Sequence, residues 1–74
     1  MTPDTLYSRS GRHLCEDAEA ALDGLGWVYT RVEISGDAEL ERLYGLHVPV
    51  LVRAGRVLLR GVINRSRLQR LAAG

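Results

Sequence analysis

Seventy-four residues with ten Arg, nine Asp or Glu, one Cys and a net charge of +1 describe one small, nearly neutral domain spanning 1–74. A chain this short buries only about 60% of its unfolded surface, and one cysteine excludes an internal disulfide as the compensating staple. No run approaches the roughly 20 apolar residues of a membrane span, and the opening "MTPDTLYSRSG" lacks a signal peptide's apolar core, so a cytoplasmic protein off the membrane is the expectation.

In chain order, Thr5-Leu6-Tyr7-Ser8 predicts a short strand that ends before the breaker Gly11. From His13 to Leu25 the apolar residues Leu14, Ala18, Ala21, Leu22 and Leu25 recur at helical spacing, with Glu16, Asp17 and Glu19 crowding the first turns. Gly24 and Gly26 stop that helix. Trp27 to Ile34, "WVYTRVEI", alternates Val28, Thr30, Val32 and Ile34 on one face with Tyr29, Arg31 and Glu33 on the other, as an edge strand does. Asp37 is placed to cap a short helix through Tyr44, with Leu40 and Leu43 inward and Gly45 ending it. Pro49 opens Val50-Leu51-Val52, apolar on both faces and therefore central. Ala54-Gly55 predicts a hairpin turn into Val57-Leu58-Leu59, and Asn64 caps a last helix striped by Leu68, Leu71 and Ala72. The first two strands, joined by a helix, should form a right-handed parallel unit, and the hairpin makes the last two antiparallel. The fold class is thus α/β, a mixed four-stranded sheet covered by helices in the order β-α-β-α-β-β-α.

Cys15 sits where the first loop becomes the first helix. A thiol at a helix start is a reactive group when the dipole stabilises its thiolate, and a small core hydrophobe when it tucks under the first turn. On a helical wheel Cys15 falls near the edge of the Leu14-Ala18-Leu22-Leu25 face while Arg12 points away, which favours the buried reading.

The strand "TLYSR", the segment "GRHLCEDAEAAL", the helix "GDAELERLYGL" and the run "HVPVLVRAGRVLLRGV" together resemble the small bacterial glutaredoxin-like proteins of the thioredoxin fold. The resemblance runs from Thr5 to Leu71. In that family the helix start reads Cys-His-Leu-Cys; here it reads Arg12-His13-Leu14-Cys15. The resemblance therefore implies thiol-disulfide chemistry with glutathione or protein thiols, in which Cys15 holds the resolving position and Arg12 replaces the attacking cysteine. It also implies that Val48-Pro49 is cis and lies beside the cysteine, where the preceding backbone would pair with an extended substrate near His13. Gly61 stands where relatives bring backbone close to glutathione, but without the second glycine and acidic pair of typical glutaredoxins, so no cofactor is expected.

Two function classes follow: a redox protein whose exchange is weak or lost with its attacking cysteine, and a non-catalytic module holding an extended peptide or anion at the Arg12, His13 and Val48-Pro49 surface. His13, Cys15 and His47 are too few for a structural zinc site, so no metal is expected. All nine acids lie between Asp4 and Glu41 and seven Arg follow, which splits the chain into halves of −6 and +7. With the first and last helices on one side of the sheet, Glu16, Glu19 and Asp23 would neighbour Arg65, Arg67 and Arg70. That pairing would erase a basic patch, and the Arg-rich half lacks aromatic interleaving, so nucleic acid is not an expected partner.

Overall fold

The computed structural model describes residues 3–74, which form β1 (Asp4–Ser8), α1 (His13–Gly24), β2 (Tyr29–Glu33), α2 (Ala38–Tyr44), β3 (Val50–Arg53), β4 (Arg56–Arg60) and α3 (Arg65–Ala73). This is the element order that the patterning predicts. The sheet runs β2-β1-β3-β4, with β1 and β2 parallel and β3 antiparallel to both β1 and β4. The caps follow the expected chemistry: the Asp37 carboxylate accepts from the Leu40 amide at 3.1 Å and the Asn64 side chain from the Arg67 amide at 2.9 Å. Ala54 (φ 49°) and Gly55 (φ 78°) are both left-handed, which a two-residue type I′ hairpin turn demands.

Register decides the two faces. Leu6 lies beside Arg31 and Leu51, and Tyr7 beside Val32 and Val50, so successive β1 residues serve opposite sides of the sheet. On the side of α1 and α3, Leu6, Ala18, Leu22, Leu51, Ile63 and Leu68 form the main core. Each large member contributes about 1.5–3 kcal/mol by leaving water. A second, smaller cluster joins Cys15, Ile34 and Val48, with Tyr7, Leu40 and Tyr44 packed against it. It lies at the pole where β1 and β2 end and β3 begins, since Ile34 follows β2 and its amide donates to the Ser8 carbonyl at 3.0 Å.

Four expectations change. Leu14 does not join the apolar face of α1: it is 43% exposed, and the buried stripe runs through Cys15, Ala18 and Leu22. Positions 14 and 15 both lie at helical spacing from Ala18 and Leu22, and it is Cys15 that meets Ile34 and Val48 in the second cluster. Likewise Leu43 is 46% exposed, because α2 has only seven residues and its inward side is taken by Leu40 and Tyr44. β2 begins at Tyr29 rather than Trp27. The Trp27 indole instead turns to the buried Asp4 carboxylate, donating at 2.8 Å, while Val28 is exposed.

The fourth concerns charge. α1 and α3 do pack together, yet among the described residues no salt bridge joins them. Glu19 takes Ser8 and Arg31, Asp23 takes the Tyr29 hydroxyl, and Arg65 donates to the Gly24 carbonyl. Sheet order supplies the reason: Glu19 and Asp23 share a row of α1 that faces the edge strand β2, while α3 covers the opposite edge.

Candidate functional site

Local chain geometry builds the site at the pole described above. After β1, Gly11 turns with φ 81°, a left-handed value that glycine adopts without the steric cost of a side chain. Arg12 is then the N-cap of α1 with extended backbone; its side chain is exposed and makes no capping bond, while its carbonyl accepts the Glu16 amide at 3.0 Å. His13, the first helical residue, is exposed. Cys15, two residues on, is 0% exposed. Its Sγ lies inside the cluster with Ile34 and Val48 and accepts the Arg9 backbone amide at 3.4 Å. One helical turn thus presents a guanidinium to solvent and hides the thiol.

The loop before β3 closes the other side. The Val48-Pro49 peptide bond is cis, and both residues are buried. Among the described residues the backbone bonds of this loop bypass Val48: the Gly61 amide donates to the His47 carbonyl at 3.2 Å and to the Pro49 carbonyl at 3.0 Å. Gly61 has φ 75°, again in the region where a side chain is strained, and that conformation aims its amide at both carbonyls. Cys15, Val48, Pro49 and Gly61 therefore converge, with Arg12 and His13 at the exposed start of α1. His47 is exposed.

A polar frame that composition and spacing do not reveal holds the β1-to-α1 loop. The Arg9 guanidinium forms a two-pronged ion pair with Glu41 of α2, its charge further stabilised by that carboxylate, and its Nε is buried without a partner. The Ser10 amide and hydroxyl both donate to Glu33, which also receives Arg31 and the Ser35 amide. These donors, Ser10 foremost and then Arg31, hold the Glu33 carboxyl well below the usual carboxylate range. Arg9 and Glu41 are 32 residues apart, so no local signal marks the pair; only the topology brings α2 to the end of β1.

Chemically the pole offers a buried thiol, an exposed guanidinium and imidazole, and a loop whose Val48 peptide groups stand outside the backbone network. Among the described residues no group of three or more His, Cys, Asp or Glu is arranged to hold a metal ion, and no helix is long and apolar enough to cross a membrane. A concavity of about 920 Å³ lined by Pro3, Leu25, Trp27, Val28, Arg53 and Ala54 lies at the opposite pole and shares no residue with this site.

Comparison with known proteins agrees with this geometry. A solved X-ray structure, that of Northeast Structural Genomics target protein XcR50 from X. campestris, is 40% identical, covers 96% of this chain and 97% of its own, and superposes with a TM-score of 0.82. No curated protein matches the chain. The family described as Glutaredoxin-like domain (DUF836) matches residues 5–72. With nearly its whole length matched and a thioredoxin-like order of strands and helices, the chain belongs to the glutaredoxin-like domain family.

Proposed function

We propose that this glutaredoxin-like domain is a thiol-disulfide redox protein whose exchange is weak or lost with its attacking cysteine. The observation that carries the reading is the full burial of Cys15 one turn behind an exposed Arg12. In disulfide exchange a thiolate attacks one sulfur of the substrate and expels the other as a thiolate. A second thiol must then attack the resulting mixed disulfide to release a reduced product. With Arg12 in the attacker's place, the exposed position carries no nucleophile. Cys15 would have to leave its cluster to attack, and a mixed disulfide formed on it would have no second thiol in the chain to resolve it. Residual exchange would fall to an outside thiol, glutathione or a protein cysteine. In the cytoplasm, where such thiols are abundant, the domain would act slowly or not at all.

The second reading, a binding module, is favoured by Val48. Its peptide groups stand outside the loop's backbone bonds and adjoin exposed Arg12 and His13 in the family-based reading, so an extended peptide could pair there with an anionic group on Arg12.

Reduction of a glutathione mixed disulfide by wild type, Cys15→Ser and Arg12→Cys tests the proposal. Wild type and Cys15→Ser should be equally inert, and Arg12→Cys, with an exposed thiol at the helix start and Cys15 one turn on, at least about tenfold faster, or roughly 1.4 kcal/mol lower in barrier. Turnover by wild type that Cys15→Ser abolishes would overturn it.

A further inference from the structure

Four arginines, Arg9, Arg31, Arg42 and Arg53, hold carboxylates. Among the described residues Arg56, Arg60, Arg65, Arg67 and Arg70 form no salt bridge, and no acid follows Glu41 in the chain to neutralise them. All five belong to the edge strand β4 and to α3 beside it. Two shallow concavities of about 300 and 350 Å³ run between these elements and share Leu59 and Arg67 as walls, making one continuous groove. Leu58, Leu59 and Leu71 supply its apolar lining, and Arg60, Arg67 and Arg70 line it with guanidinium groups. Arg67 is fixed in place: its Nη1 donates to the Val62 carbonyl and, at 3.5 Å, to that of Arg60.

We propose that the β4–α3 groove docks an acidic polypeptide segment carrying aliphatic side chains, presented by a partner protein. Carboxylates match the guanidinium groups, where bidentate pairing is available, and an aliphatic side chain matches the leucine lining. A nucleic-acid strand fits less well. Its phosphates would satisfy the guanidinium groups, but its bases need stacking partners, and Tyr7, Trp27, Tyr29 and Tyr44 all lie outside the groove. The groove ends at Arg60, beside Gly61 and its bonds to the Val48-Pro49 loop, so a protein docked here would reach the thiol pole. The proposal does not rest on Cys15 chemistry and stands if the reading of that pole fails.

Fluorescence anisotropy with three labelled probes of equal net charge tests it: a Glu/Leu peptide, the same peptide with Ser for Leu, and a single-stranded DNA. The Glu/Leu peptide should bind in the micromolar range, and both other probes about tenfold or more weaker. Arg70→Glu and Arg60→Glu, both exposed, should each weaken the peptide at least about tenfold with melting temperature held, while Cys15→Ser leaves binding unchanged. Equal affinity for the Ser peptide would reduce the groove to a general positive field. Tighter binding of DNA, or no effect of either charge reversal, would overturn the proposal outright.

Discussion

Cys15 gives the sharpest quantitative expectation. Because its side chain is fully buried, a thiol reagent reaches Sγ only through an opened state, and the rate falls by the population of that state. At about 0.05 kcal/mol per residue, the low end for natural domains, 74 residues give about 4 kcal/mol, so global opening alone would slow the reaction about 10³-fold. Fraying of the first turn of α1 is the competing route. It must separate Cys15 from Ile34 and Val48 and break the Arg9 amide bond to sulfur, while the main core stays shut. Exposing that small cluster costs about 2–3 kcal/mol, which sets a floor near a 10²-fold slowing. The measurement is the pseudo-first-order rate of a chromogenic disulfide reagent at neutral pH, native against the same protein in guanidinium chloride. A native rate within about tenfold of the unfolded one would refute the reasoning, because a thiol held in that cluster is not that accessible.

Tyr44→Ala should cost about 2 kcal/mol by chemical denaturation and speed that reagent, since Tyr44 stacks on Tyr7 at 4.4 Å and both pack on the Cys15 cluster. Asp4, held below the usual carboxylate range chiefly by Arg53 and also by Trp27 against the opposing effect of burial, adds stability above the unfolded carboxylate pKa and loses it as pH falls through the lower folded value. Asp4→Asn should therefore lower stability by about 1–2 kcal/mol at neutral pH, with the gap in melting temperature narrowing below about pH 4. Asn64→Ala, which removes the cap on α3, should cost about 1 kcal/mol in the same melts.

The fold was largely legible because its signals are local. Asp37 and Asn64 announce helix starts, Ala54-Gly55 a two-residue hairpin, and the doubly apolar Val50-Leu51-Val52 a central strand, and each acts within a few residues of itself. Leu14 and Leu43 show where this stops. Periodicity assigns both to apolar faces, but which neighbour faces inward at a helix entry, or along a seven-residue helix, depends on what packs there. Leu14 yields to Cys15 because the Val48 loop receives the thiol, and Leu43 yields to Tyr44 because Tyr7 offers a ring to stack on.

At the candidate site the same distinction separates what chemistry dictates from what topology supplies. That Arg12 and Cys15 share the start of α1 follows from the segment alone, but that the thiol rather than Leu14 turns inward depends on the Val48 loop that receives it. That the loop carrying them is gripped by Glu33 and Glu41 follows from the ends of β2 and α2 arriving at the same pole, which no spacing within "SRSGRHLC" can report. Charge behaves likewise. The halves of −6 and +7 are visible in the sequence, but neutralisation depends on which helix row faces which strand. Because Glu19 and Asp23 turn to β2, they are taken by Arg31 and the Tyr29 hydroxyl, and among the described residues the five arginines of β4 and α3 form no salt bridge. Reversing the α1 row that faces β2 would not discharge them; an acid placed on β4, on α3 or on the α1 row beside α3 would.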